Sequence, residues 1–375
     1  MQNKKKQLNI CIVGDASSPH IQNRTECLFE KGHKITILTP KQGLRMFDEI
    51  LINPPKTLIS KLLYKYKIFF QIKNILKKLQ PDIVHIHYAC GFQALAAAVL
   101  SKCPVVVTVM GGDILFNERR SHTFTQRLAT KIILKHADFI TAKSFYLLSE
   151  VKKIIKSNCK TARIIWGVKP SLFFSRMNVQ NLRAKLNIKE TDRVIFCPRG
   201  LKTIHNIDNI IKAVFEVRKR DTSVKLVVSR FNPDEEYSSY IQSLIDSLAL
   251  KDAVILVDKI EYKDMPLYYN LADASISISS TDGFPHFIME SMACGTPNII
   301  SNLERYREFV SSDDVIFVDS TKIKMIADSI SKLLWTNEFR AKLIDNGFSL
   351  LKQIGHYERE TEKVQGIYYE LIDVR

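Results

Sequence analysis

The strongest constraint on the fold of this chain is an alternation of apolar runs and amphipathic stretches that occurs twice. The predicted elements of the first half are strands at 8–14, 34–39, 82–87, 105–109 and 138–142 and helices near 21–30, 92–100 and 123–135. The second half repeats the pattern with segments at 194–198, 207–219, 225–229, 237–248, 254–257, 265–271, 274–278 and 315–318. Alternating strands and helices form parallel sheets. We therefore predict an α/β protein with two Rossmann-like, doubly wound domains.

The length of the chain agrees with two domains. At 375 residues it exceeds what one hydrophobic core usually organises. The periodicity breaks at 166–170, so we expect an N-terminal domain at 1–170 and a C-terminal domain at 171–355. Residues 356–375 are predicted to form a helix that packs back toward the N-terminal domain. Doubly wound sheets bind ligands at the carboxyl ends of their strands, and the two crevices are expected to face each other across a cleft.

Composition excludes several classes of protein. Apolar residues make up 46% and charged residues 25% of the chain, as in ordinary globular proteins. The longest apolar runs, such as 94–100, are much shorter than the roughly 20 residues of a membrane span. The basic start at 4–6 precedes a strand-like run rather than a signal peptide. The seven cysteines include no Cys-x-x-Cys pair and are interpreted as reduced residues. We expect a cytoplasmic protein without a metal site.

A net charge of +16 predicts an anionic partner. The excess is concentrated at 56–80, which has seven lysines, no acidic residue and apolar residues at helical spacing. Two interpretations stay open: a core-facing helix with a solvated lysine face, or an amphipathic helix that contacts an anionic membrane. In the second case the protein is peripheral at the inner face of the membrane. Nucleic acid is not expected as a partner, because no recognition motif occurs.

Polar residues and glycines follow the predicted strands of the first domain. The turn after the strand at 8–14 lacks Gly-x-Gly-x-x-Gly, which disfavours an NAD enzyme. His87 leaves a buried strand and is interpreted either as structural or as a contact with substrate. Asp113, after two glycines that let a ligand approach the backbone, either accepts a proton or caps a helix. The candidate ligand-binding residues of this domain are Gly14, His20, His87, Gly111, Gly112 and Asp113.

The segment 279–301 is the most informative about function. The apolar run at 274–278 is interpreted as a buried parallel strand, and 285–293 as a helix. Gly283 allows a tight turn between them, and Gly295 can end the helix in a left-handed conformation. The segment therefore predicts a strand–loop–helix unit.

This unit is suited to an anionic ligand. The free N–H groups of His286 and Phe287 at the helix start would favour a phosphate or a sugar oxygen. Asp282 in the loop and Glu290 on the helix can reach one pocket from two directions. These two carboxylates are the first candidates for chemistry.

A basic turn follows the predicted strand at 194–198. Arg199, Lys202 and His205 lie in this turn, where they would meet a diphosphate. Arginine would bind it through a bidentate fork and lysine as a mobile point charge. Lysines are common in surface loops, so Lys202 alone indicates little. Together with the acidic pair in the same domain, the turn predicts a site for a diphosphate.

Asp282 and Glu290, with seven residues between them, resemble the Glu-x7-Glu motif of the family-four retaining nucleotide-sugar glycosyltransferases. The sequence Glu-Ser-Met-Ala-Cys-Gly-Thr-Pro at 290–297 resembles that family's Glu-Ala-Met-Ala-Cys-Gly-x-Pro, and 82–87 resembles its strand that ends in histidines. The resemblance covers nearly the whole chain. It implies the GT-B fold, no metal or other cofactor, and a UDP- or GDP-linked sugar donor bound by the C-terminal domain. A glycan or lipid-linked acceptor would bind the N-terminal domain.

The resemblance also implies roles for particular residues. Glu290 would hold the ribose hydroxyls, Asp282 would lie beside the donor sugar, and Arg199 would neutralise the leaving diphosphate. The base would stack near Lys259 and Ile260. The implied catalytic residues are Arg199, Lys202, Asp282 and Glu290. The implied donor-binding residues are Arg199, Lys202, His205, Lys259, Ile260, Asp282, Gly283, Phe284, His286, Phe287 and Glu290.

Three positions depart from the family pattern. Asp282 is one methylene shorter than the family's glutamate, and Met110 replaces the histidine of Thr-x-His-Gly. His205 stands in place of a lysine, so either Lys202 or His205 would take over its part. The resemblance implies hexosyl transfer to a hydroxyl group with retention, in polysaccharide or glycolipid assembly, with the departing phosphate assisting front-face attack. The alternatives are a catalytically silent binding subunit, or an epimerase or phosphorylase of the same fold.

Overall fold

The computed structural model describes residues 6–43, 47–52, 58–116, 123–156, 159–284 and 286–374. Within 58–65 it describes the backbone but not the side chains. The chain forms two compact units. Unit 1 comprises Met1–Trp166 and Tyr357–Arg375, and unit 2 comprises Gly167–His356. The division falls at the start of the segment 166–170, where the periodicity of the sequence breaks.

Unit 1 contains alternating strands and helices followed by a helix from the end of the chain. Numbered in chain order over both units, they are β1 (Asn9–Val13), α1 (Pro19–Glu30), β2 (Lys34–Thr39), β3 (Asp48–Leu51), α2 (Leu58–Leu79), β4 (Ile83–His87), α3 (Phe92–Leu100), β5 (Val105–Val109), α4 (Phe124–Lys135), β6 (Phe139–Ala142), α5 (Phe145–Ile155), β7 (Lys160–Arg163) and α13 (Tyr357–Asp373).

The described strands of unit 1 form one parallel sheet in the order β3-β2-β1-β4-β5-β6-β7. The winding reverses between β1 and β4, because Ile10 pairs with Ile35 of β2 on one side and with Ile83 of β4 on the other. Every residue of β4 and β5 is buried, as in sheets covered by helices on both faces. Ligands of such sheets bind where the winding reverses, so the carboxyl ends of β1 and β4 position the candidate site of unit 1.

Unit 2 repeats the architecture. Its helices and strands are α6 (Gln180–Lys185), β8 (Arg193–Cys197), α7 (Ile207–Arg218), β9 (Val224–Ser229), α8 (Glu235–Ser247), β10 (Val254–Val257), α9 (Met265–Leu271), β11 (Ala274–Ser277), α10 (His286–Ala293), β12 (Asn298–Ser301), β13 (Ile316–Val318), α11 (Ile323–Trp335) and α12 (Asn337–Ile354).

In the part of unit 2 that the structure describes, the strands are all parallel and lie in the order β10-β9-β8-β11-β12-β13. Ile195 of β8 pairs with Leu226 of β9 and with Ala274 of β11, so the winding reverses between β8 and β11. The prediction of two Rossmann-like, doubly wound domains is confirmed by these two sheets. The carboxyl ends of β8 and β11 position the candidate site of unit 2.

Helix α7 shows how the sequence builds the core of unit 2. Ile207, Ile210, Ile211 and Val214 are all fully buried. Their spacing of three and four residues places them on one face of the helix. This face packs in the same cluster as Leu226 of β9, so that α7 covers the sheet.

Helix α13 contributes to the core of unit 1. Val364 and Tyr368 are buried and pack in a cluster with Ile12 of β1 and Leu28 of α1. The hydroxyl group of Tyr368 lies 2.5 Å from Nδ1 of His85 in β4. The core of unit 1 therefore joins residues from both ends of the chain.

The predicted strand–loop–helix unit of the second domain is present. Strand β11 ends at Ser277, and α10 spans His286–Ala293. Gly295 has a φ of +73°, a conformation that glycine adopts at little cost after a helix. Pro285, expected in the first turn of the helix, lies outside the described residues.

Candidate active site

Arg199 and Asp282 meet at the carboxyl ends of the two central strands of unit 2. Arg199 lies two residues after β8 and Asp282 in the loop between β11 and α10. Nη2 of Arg199 donates a short hydrogen bond to Oδ2 of Asp282, and both side chains are mostly buried. The structure thus joins the predicted cation to one of the two predicted acids where the winding of the sheet reverses.

Further contacts fix the position of Arg199. Its Nε donates to the Ser277 hydroxyl oxygen at 2.9 Å, and its guanidinium carbon lies 4.8 Å from the centre of the Phe287 ring. Gly200, the next residue, is a position where the backbone has no room for a side chain. A Cβ there would lie 1.9 Å from the carbonyl oxygen of Phe231. The arginine is therefore held in one orientation before any ligand binds.

The charge states at this strand end follow from burial and from the ion pair. Burial lowers the pKa of Arg199, but the neighbouring Asp282 carboxylate outweighs burial and the net shift is upward. Burial raises the pKa of the Cys197 thiol to about 12. Cys197 is therefore a neutral thiol at physiological pH and unsuited to be a nucleophile, whereas Arg199 is a permanent cation.

Glu290 is held by two phenol groups. It lies on α10 with 5% of its surface exposed. The hydroxyl of Tyr262 donates to Oε1 at 3.1 Å, and that of Tyr269 donates to Oε2 at 3.2 Å. Burial and the adjacent Glu290 raise the pKa of Tyr269 well above its usual value, so this phenol stays protonated. Both carboxylate oxygens are thus oriented by donors on neighbouring segments.

The loops after β8 and β11 are tied together by polar residues that sequence analysis missed. Asn206, which has a left-handed φ of +52°, donates from Nδ2 to the Ile278 carbonyl at 2.8 Å and to the Ser280 hydroxyl at 3.0 Å. The backbone N–H of Ser280 donates to the carbonyl oxygen of Ile204 at 2.9 Å. The available signal was the run of serines that interrupts the apolar residues at the end of β11.

His205 acts as a neutral group in this turn. Its Nδ1 lies 2.9 Å from the hydroxyl oxygen of Ser279. Burial and the positive charges of Arg199 and Lys202 lower the pKa of His205 to about 3. Of the two residues considered as replacements for the family's lysine, only Lys202 therefore brings a positive charge, and His205 can offer a hydrogen bond.

Gly283 and Phe284, in the loop before α10, differ in exposure. Gly283 faces open space, because a Cβ on it would meet nothing within 4 Å. The ring of Phe284 is 4% exposed and stacks on Phe309 at 4.0 Å between ring centres. Phe284 was predicted to bind the donor, and this burial leaves its backbone rather than its ring for such a contact. His286 and Phe287 lie in the first turn of α10, as predicted.

The segment after β10 lies beside Glu290. Lys259 and Ile260 follow this strand, and Tyr262 comes two residues after Ile260 and reaches Glu290. The ammonium group of Lys259 is exposed and pairs with Glu261 at 2.9 Å. The structure thus brings the predicted base-binding segment to the site through Tyr262.

In unit 1 the predicted residues gather at the carboxyl ends of three strands. A Cβ on Gly14, after β1, would lie 3.5 Å from the Cβ of His87, the last residue of β4. Gly111 and Gly112 follow β5, and Gly111 has a φ of +97°. His20 lies in the first turn of α1, the helix that follows β1.

The two expectations for Asp113 are both wrong. This residue has no exposed surface. Its Oδ2 accepts from the backbone N–H of Ala89 at 2.7 Å, and its Oδ1 accepts from that of Met110 at 3.0 Å. Asp113 therefore ties the loop after β4 to the loop after β5. A carboxylate that is closed to solvent and occupied by backbone donors is neither a proton acceptor for substrate nor a helix cap.

Sequence analysis also missed a buried arginine. Arg24 on α1 is 2% exposed, and its Nη1 donates to Nδ1 of His87 at 3.1 Å. Its guanidinium carbon lies 4.9 Å from the centre of the Trp166 ring. The signal was in the sequence, because Arg24 comes three residues after Ile21 and four before Leu28, on the apolar face of the helix. A charge at core spacing marks a candidate functional group.

The described residues contain neither a membrane-spanning helix nor a cluster of metal-ligating side chains. None of their helices is both long and apolar enough to cross a membrane. No cluster of three or more histidine, cysteine, aspartate or glutamate side chains in the same residues could hold a metal ion.

Each unit matches one family of known proteins. Residues 9–144, in unit 1, match the family described as "Glycosyl transferase 4-like". Residues 178–349, in unit 2, match the family described as "Glycosyl transferases group 1".

Individual proteins align with most of the chain. N-acetyl-alpha-D-glucosaminyl L-malate synthase of Bacillus anthracis is 20% identical over 370 residues, which cover 92% of this chain and 91% of that protein. Alpha-monoglucosyldiacylglycerol synthase of Streptococcus pneumoniae is 24% identical over 306 residues, or 76% of this chain and 67% of that protein.

A solved structure shares the fold. Anabaena Alr3699/HepE, in complex with UDP and glucose, superposes with a TM-score of 0.80 at 14% identity, covering 96% of this chain and 99% of that chain. The two parallel-sheet Rossmann-like domains correspond to the GT-B architecture, and both family matches are to glycosyltransferases. The chain is therefore a GT-B glycosyltransferase, with a glycosyl transferase 4-like domain in unit 1 and a glycosyl transferase group 1 domain in unit 2.

Proposed function

We propose that the chain transfers a hexosyl group from a nucleoside diphosphate sugar to a hydroxyl acceptor with retention of configuration. The placement of Arg199, Asp282 and Glu290 around the ends of β8 and β11 carries this proposal. A nucleoside diphosphate sugar offers an anionic leaving group, sugar hydroxyls and ribose hydroxyls. Arg199, Asp282 and Glu290 would bind these three groups in that order.

Arg199 would neutralise the leaving diphosphate. A phosphate oxygen would compete with Asp282 for Nη2, while Nε stays on Ser277. Lys202, partly exposed in the same turn, would add a mobile positive charge. A positive charge that already lies where negative charge develops in the transition state contributes strongly to catalysis. The exchange would also free Asp282 to accept a hydrogen bond from a hydroxyl of the donor sugar.

Glu290 would bind the ribose. Its carboxylate oxygens accept from Tyr262 and Tyr269 and retain lone pairs for vicinal hydroxyl groups. Since Tyr262 follows the segment of Lys259 and Ile260, the nucleotide base would lie over that segment. Among solved structures of this fold, the HepE complex contains UDP, which supports a uridine nucleotide as the first donor to test.

Retention of the anomeric configuration would follow from the position of Arg199 in unit 2. With Arg199 holding the diphosphate, the departing phosphate oxygen can accept the proton of the attacking hydroxyl on the same face of the sugar. The protein then contributes positioning and electrostatic stabilisation. The anomer of the product, read by NMR, tests this step, and an inverted product would contradict it.

The decisive variants are Arg199→Gln and Glu290→Gln. Loss of one charge-stabilising donor typically lowers kcat by about 100-fold or more, so we expect at least that loss for Arg199→Gln. The matched control is Arg230→Gln, which breaks another arginine–aspartate pair of unit 2, with Asp258 at 2.5 Å on the surface. Rates of Arg199→Gln and Arg230→Gln that agree within about twofold would show that the site is misassigned.

Calorimetric titration tests the alternative of a silent subunit that has lost its donor site. We expect UDP or GDP to bind the wild-type chain and Glu290→Gln to weaken that binding. Glu216→Gln, on the exposed face of α7 where Glu216 pairs with Lys219, is the matched control. If neither nucleotide binds the wild-type protein, the proposal for a donor site in unit 2 is wrong.

We also propose that α2 brings unit 1 to an anionic membrane, where a lipid-linked acceptor would reside. Ile68, Ile72 and Leu76 are buried, so one face of the helix packs on the core. Tyr66 and Phe70, 74% and 66% exposed, lie on the other face. The exposed lysines of this helix are Lys67, Lys73, Lys77 and Lys78. A face with both aromatic rings and lysines is typical of helices that lie at an anionic membrane surface.

Sedimentation with lipid vesicles tests this second proposal. We expect the chain to bind phosphatidylcholine vesicles that contain phosphatidylglycerol, and the double variant Tyr66→Ser/Phe70→Ser to bind at least about tenfold more weakly. Phe231→Ser removes an exposed ring, 53% accessible, from unit 2 and is the control. Equal binding of all three proteins would contradict a membrane contact through α2. The S. pneumoniae relative is named for a glycolipid product, which supports testing diacylglycerol acceptors on the same vesicles.

A further inference from the structure

Arg24 is a buried cation that lacks an acidic partner. Its Nη1 contacts Nδ1 of His87 at 3.1 Å and the sulfur of Met110 at 3.1 Å. Its Nε and Nη2 are closed to solvent and have no hydrogen-bond partner among the residues that the structure describes. The hydrogen-bond partners of the guanidinium group among the described residues are thus uncharged, and most of its donors are unused.

Two further donors near Arg24 are equally unsatisfied. Nδ1 of His87 accepts a hydrogen bond from Arg24, so the proton of this neutral ring is on Nε2. That Nε2 and the indole Nε1 of Trp166 are buried without a partner in the described part of the chain. The rings of His87 and Trp166 lie 5.9 Å apart between centres. The cluster therefore contains N–H groups on three side chains that lack an acceptor among the described residues.

This arrangement is costly for a protein without a ligand. Burial lowers the pKa of Arg24 to about 9, so the side chain still carries its charge at neutral pH. A buried charge without a counter-ion and buried donors without acceptors both oppose folding. Since the described residues supply no acceptor, the natural compensation is an anion from outside the chain.

The location of the cluster favours a ligand. His87 ends β4, at the point where the winding of the unit 1 sheet reverses. Tyr88 and Trp166 have left-handed φ values of +81° and +54°, which are unfavourable for aromatic residues and concentrate at ligand-binding positions. Tyr88 is 41% exposed and Met110 partly exposed, so the outer edge of the cluster reaches solvent. The flexible Met110 side chain can leave Nη1 when a ligand enters.

We propose that Arg24, His87 and Trp166 bind a carboxylate or phosphate group of the acceptor. This inference rests on the proposed function, because it assigns the anionic group to the molecule that receives the sugar. An oxyanion has enough lone pairs for the Arg24 fork and for both ring N–H groups at once. It would also supply the negative charge that the cluster lacks.

Tryptophan fluorescence tests the site directly. The chain has two tryptophans, and Trp335→Phe leaves Trp166 as the only reporter. We expect inorganic phosphate or acetate to change the emission of Trp166 in a saturable manner, and glycerol to leave it unchanged. A Trp166 emission that does not respond to either anion would overturn the proposal.

Substitution of Arg24 in this single-tryptophan protein separates a binding role from a structural one. Arg24→Met removes the charge and the donors at similar volume, so we expect at least tenfold weaker anion binding and a higher midpoint of thermal unfolding in the absence of anions. The matched control is Arg163→Met, which removes a partly exposed arginine that lies 4.7 Å from the Phe145 ring in the same unit. Anion affinity of Arg24→Met equal to that of Arg163→Met would overturn the proposal. Arg24→Lys keeps the charge but loses the bidentate guanidinium group. Unchanged anion affinity in this variant would also overturn the proposal.

A second comparison distinguishes the source of the anion. Free glycerol 3-phosphate and phosphatidate in phosphatidylcholine vesicles present the same phosphate monoester, one in solution and one on a lipid surface. A response of Trp166 to the first indicates a soluble acceptor, and a response only to the second indicates a lipid headgroup. UDP affinity is measured on the same variants and is expected to be unchanged by Arg24→Met. Failure of UDP binding would refute the donor site in unit 2 while leaving the anion titration of unit 1 to be judged separately.

Discussion

Gly200 and Gly283 each follow one partner of the Arg199–Asp282 pair, yet their surroundings differ. A Cβ on Gly200 would collide with the carbonyl oxygen of Phe231, whereas a Cβ on Gly283 would enter open space. Gly283 was predicted to matter from its place in a turn, whereas no role was predicted for Gly200. A tight backbone approach between two loops depends on residues far apart in the chain and leaves no local pattern.

This contrast predicts the effect of two alanine substitutions on stability. We expect Gly200→Ala to lower the free energy of unfolding by at least about 1–3 kcal/mol, the usual cost of overpacking. Gly283→Ala should lie within about 0.5 kcal/mol of wild type. Urea denaturation of both variants checks this, and equal stabilities would show that the backbone at Gly200 can move away without cost.

A second prediction at the residue scale concerns acid stability. The pKa of His205 is about 3 in the folded protein, against about 6.5 in an unfolded chain. Between these values the unfolded state binds more protons, so the contribution of His205 to stability is complete above about pH 6.5 and is lost as the pH falls toward 3. Burial also lowers the pKa of His85 and His87, which contribute in the same direction.

We therefore expect His205→Asn to lose less stability than wild type between pH 7 and pH 5, though not to become independent of pH. Urea denaturation at the two pH values measures the difference. His136→Asn, at an exposed position after α4, should retain the loss seen in wild type. An identical loss in His205→Asn and wild type would contradict the account of this histidine.

At the scale of whole elements, apolar runs predicted the central strands of both sheets and the edge strands of unit 2, but not the edge strands of unit 1. The strands β4 and β5 were found because both faces of the sheet are covered there. The edge strands β3 and β7 were missed, since they begin with Asp48 and Lys160 and contain few apolar residues. An edge strand has one neighbour and carries polar side chains toward water, so its sequence resembles that of a loop.

The same limit applies to the site. Arg199, Asp282 and Glu290 were predicted because they follow recognisable strands and match a family motif. Arg24 was not predicted: its place on the apolar face of α1 indicates a buried charge, but its partners His87 and Trp166 are distant in sequence. Interactions between segments that meet only in the folded sheet have no signature in either segment alone.

Helix α13 gives a prediction at this scale, since its Tyr368 hydroxyl bonds to Nδ1 of the fully buried His85. Tyr368→Phe would leave this ring nitrogen unpaired, at a cost of about 1–3 kcal/mol in the free energy of unfolding. The control is Tyr369→Phe, whose hydroxyl bonds to the carbonyl of Lys6 at the surface and should matter by less than about 0.5 kcal/mol. Thermal or urea denaturation that ranks the two variants in the reverse order would contradict the role of this contact.

For the molecule as a whole, we expect transfer to proceed without a divalent metal ion, because Arg199 and Lys202 would supply the charge that the diphosphate needs. The expected result is a rate unchanged by excess EDTA in a buffer free of added metal. A loss of activity that returns with Mg²⁺ or Mn²⁺ would mean that these two side chains are insufficient. Because the chain carries a net charge of +16, we also expect its affinity for the anionic donor to fall as the salt concentration rises.

The division of unit 1 between Met1–Trp166 and Tyr357–Arg375 affects how the protein folds during translation. The ribosome completes all of Gly167–His356 before it makes α13, so unit 2 can fold while unit 1 still lacks a core helix. At about 5–20 residues per second this interval lasts on the order of ten seconds or more. During that time the nascent chain exposes the apolar surface that Val364 and Tyr368 later cover. We therefore expect newly made unit 1 to depend more on chaperones than unit 2 does.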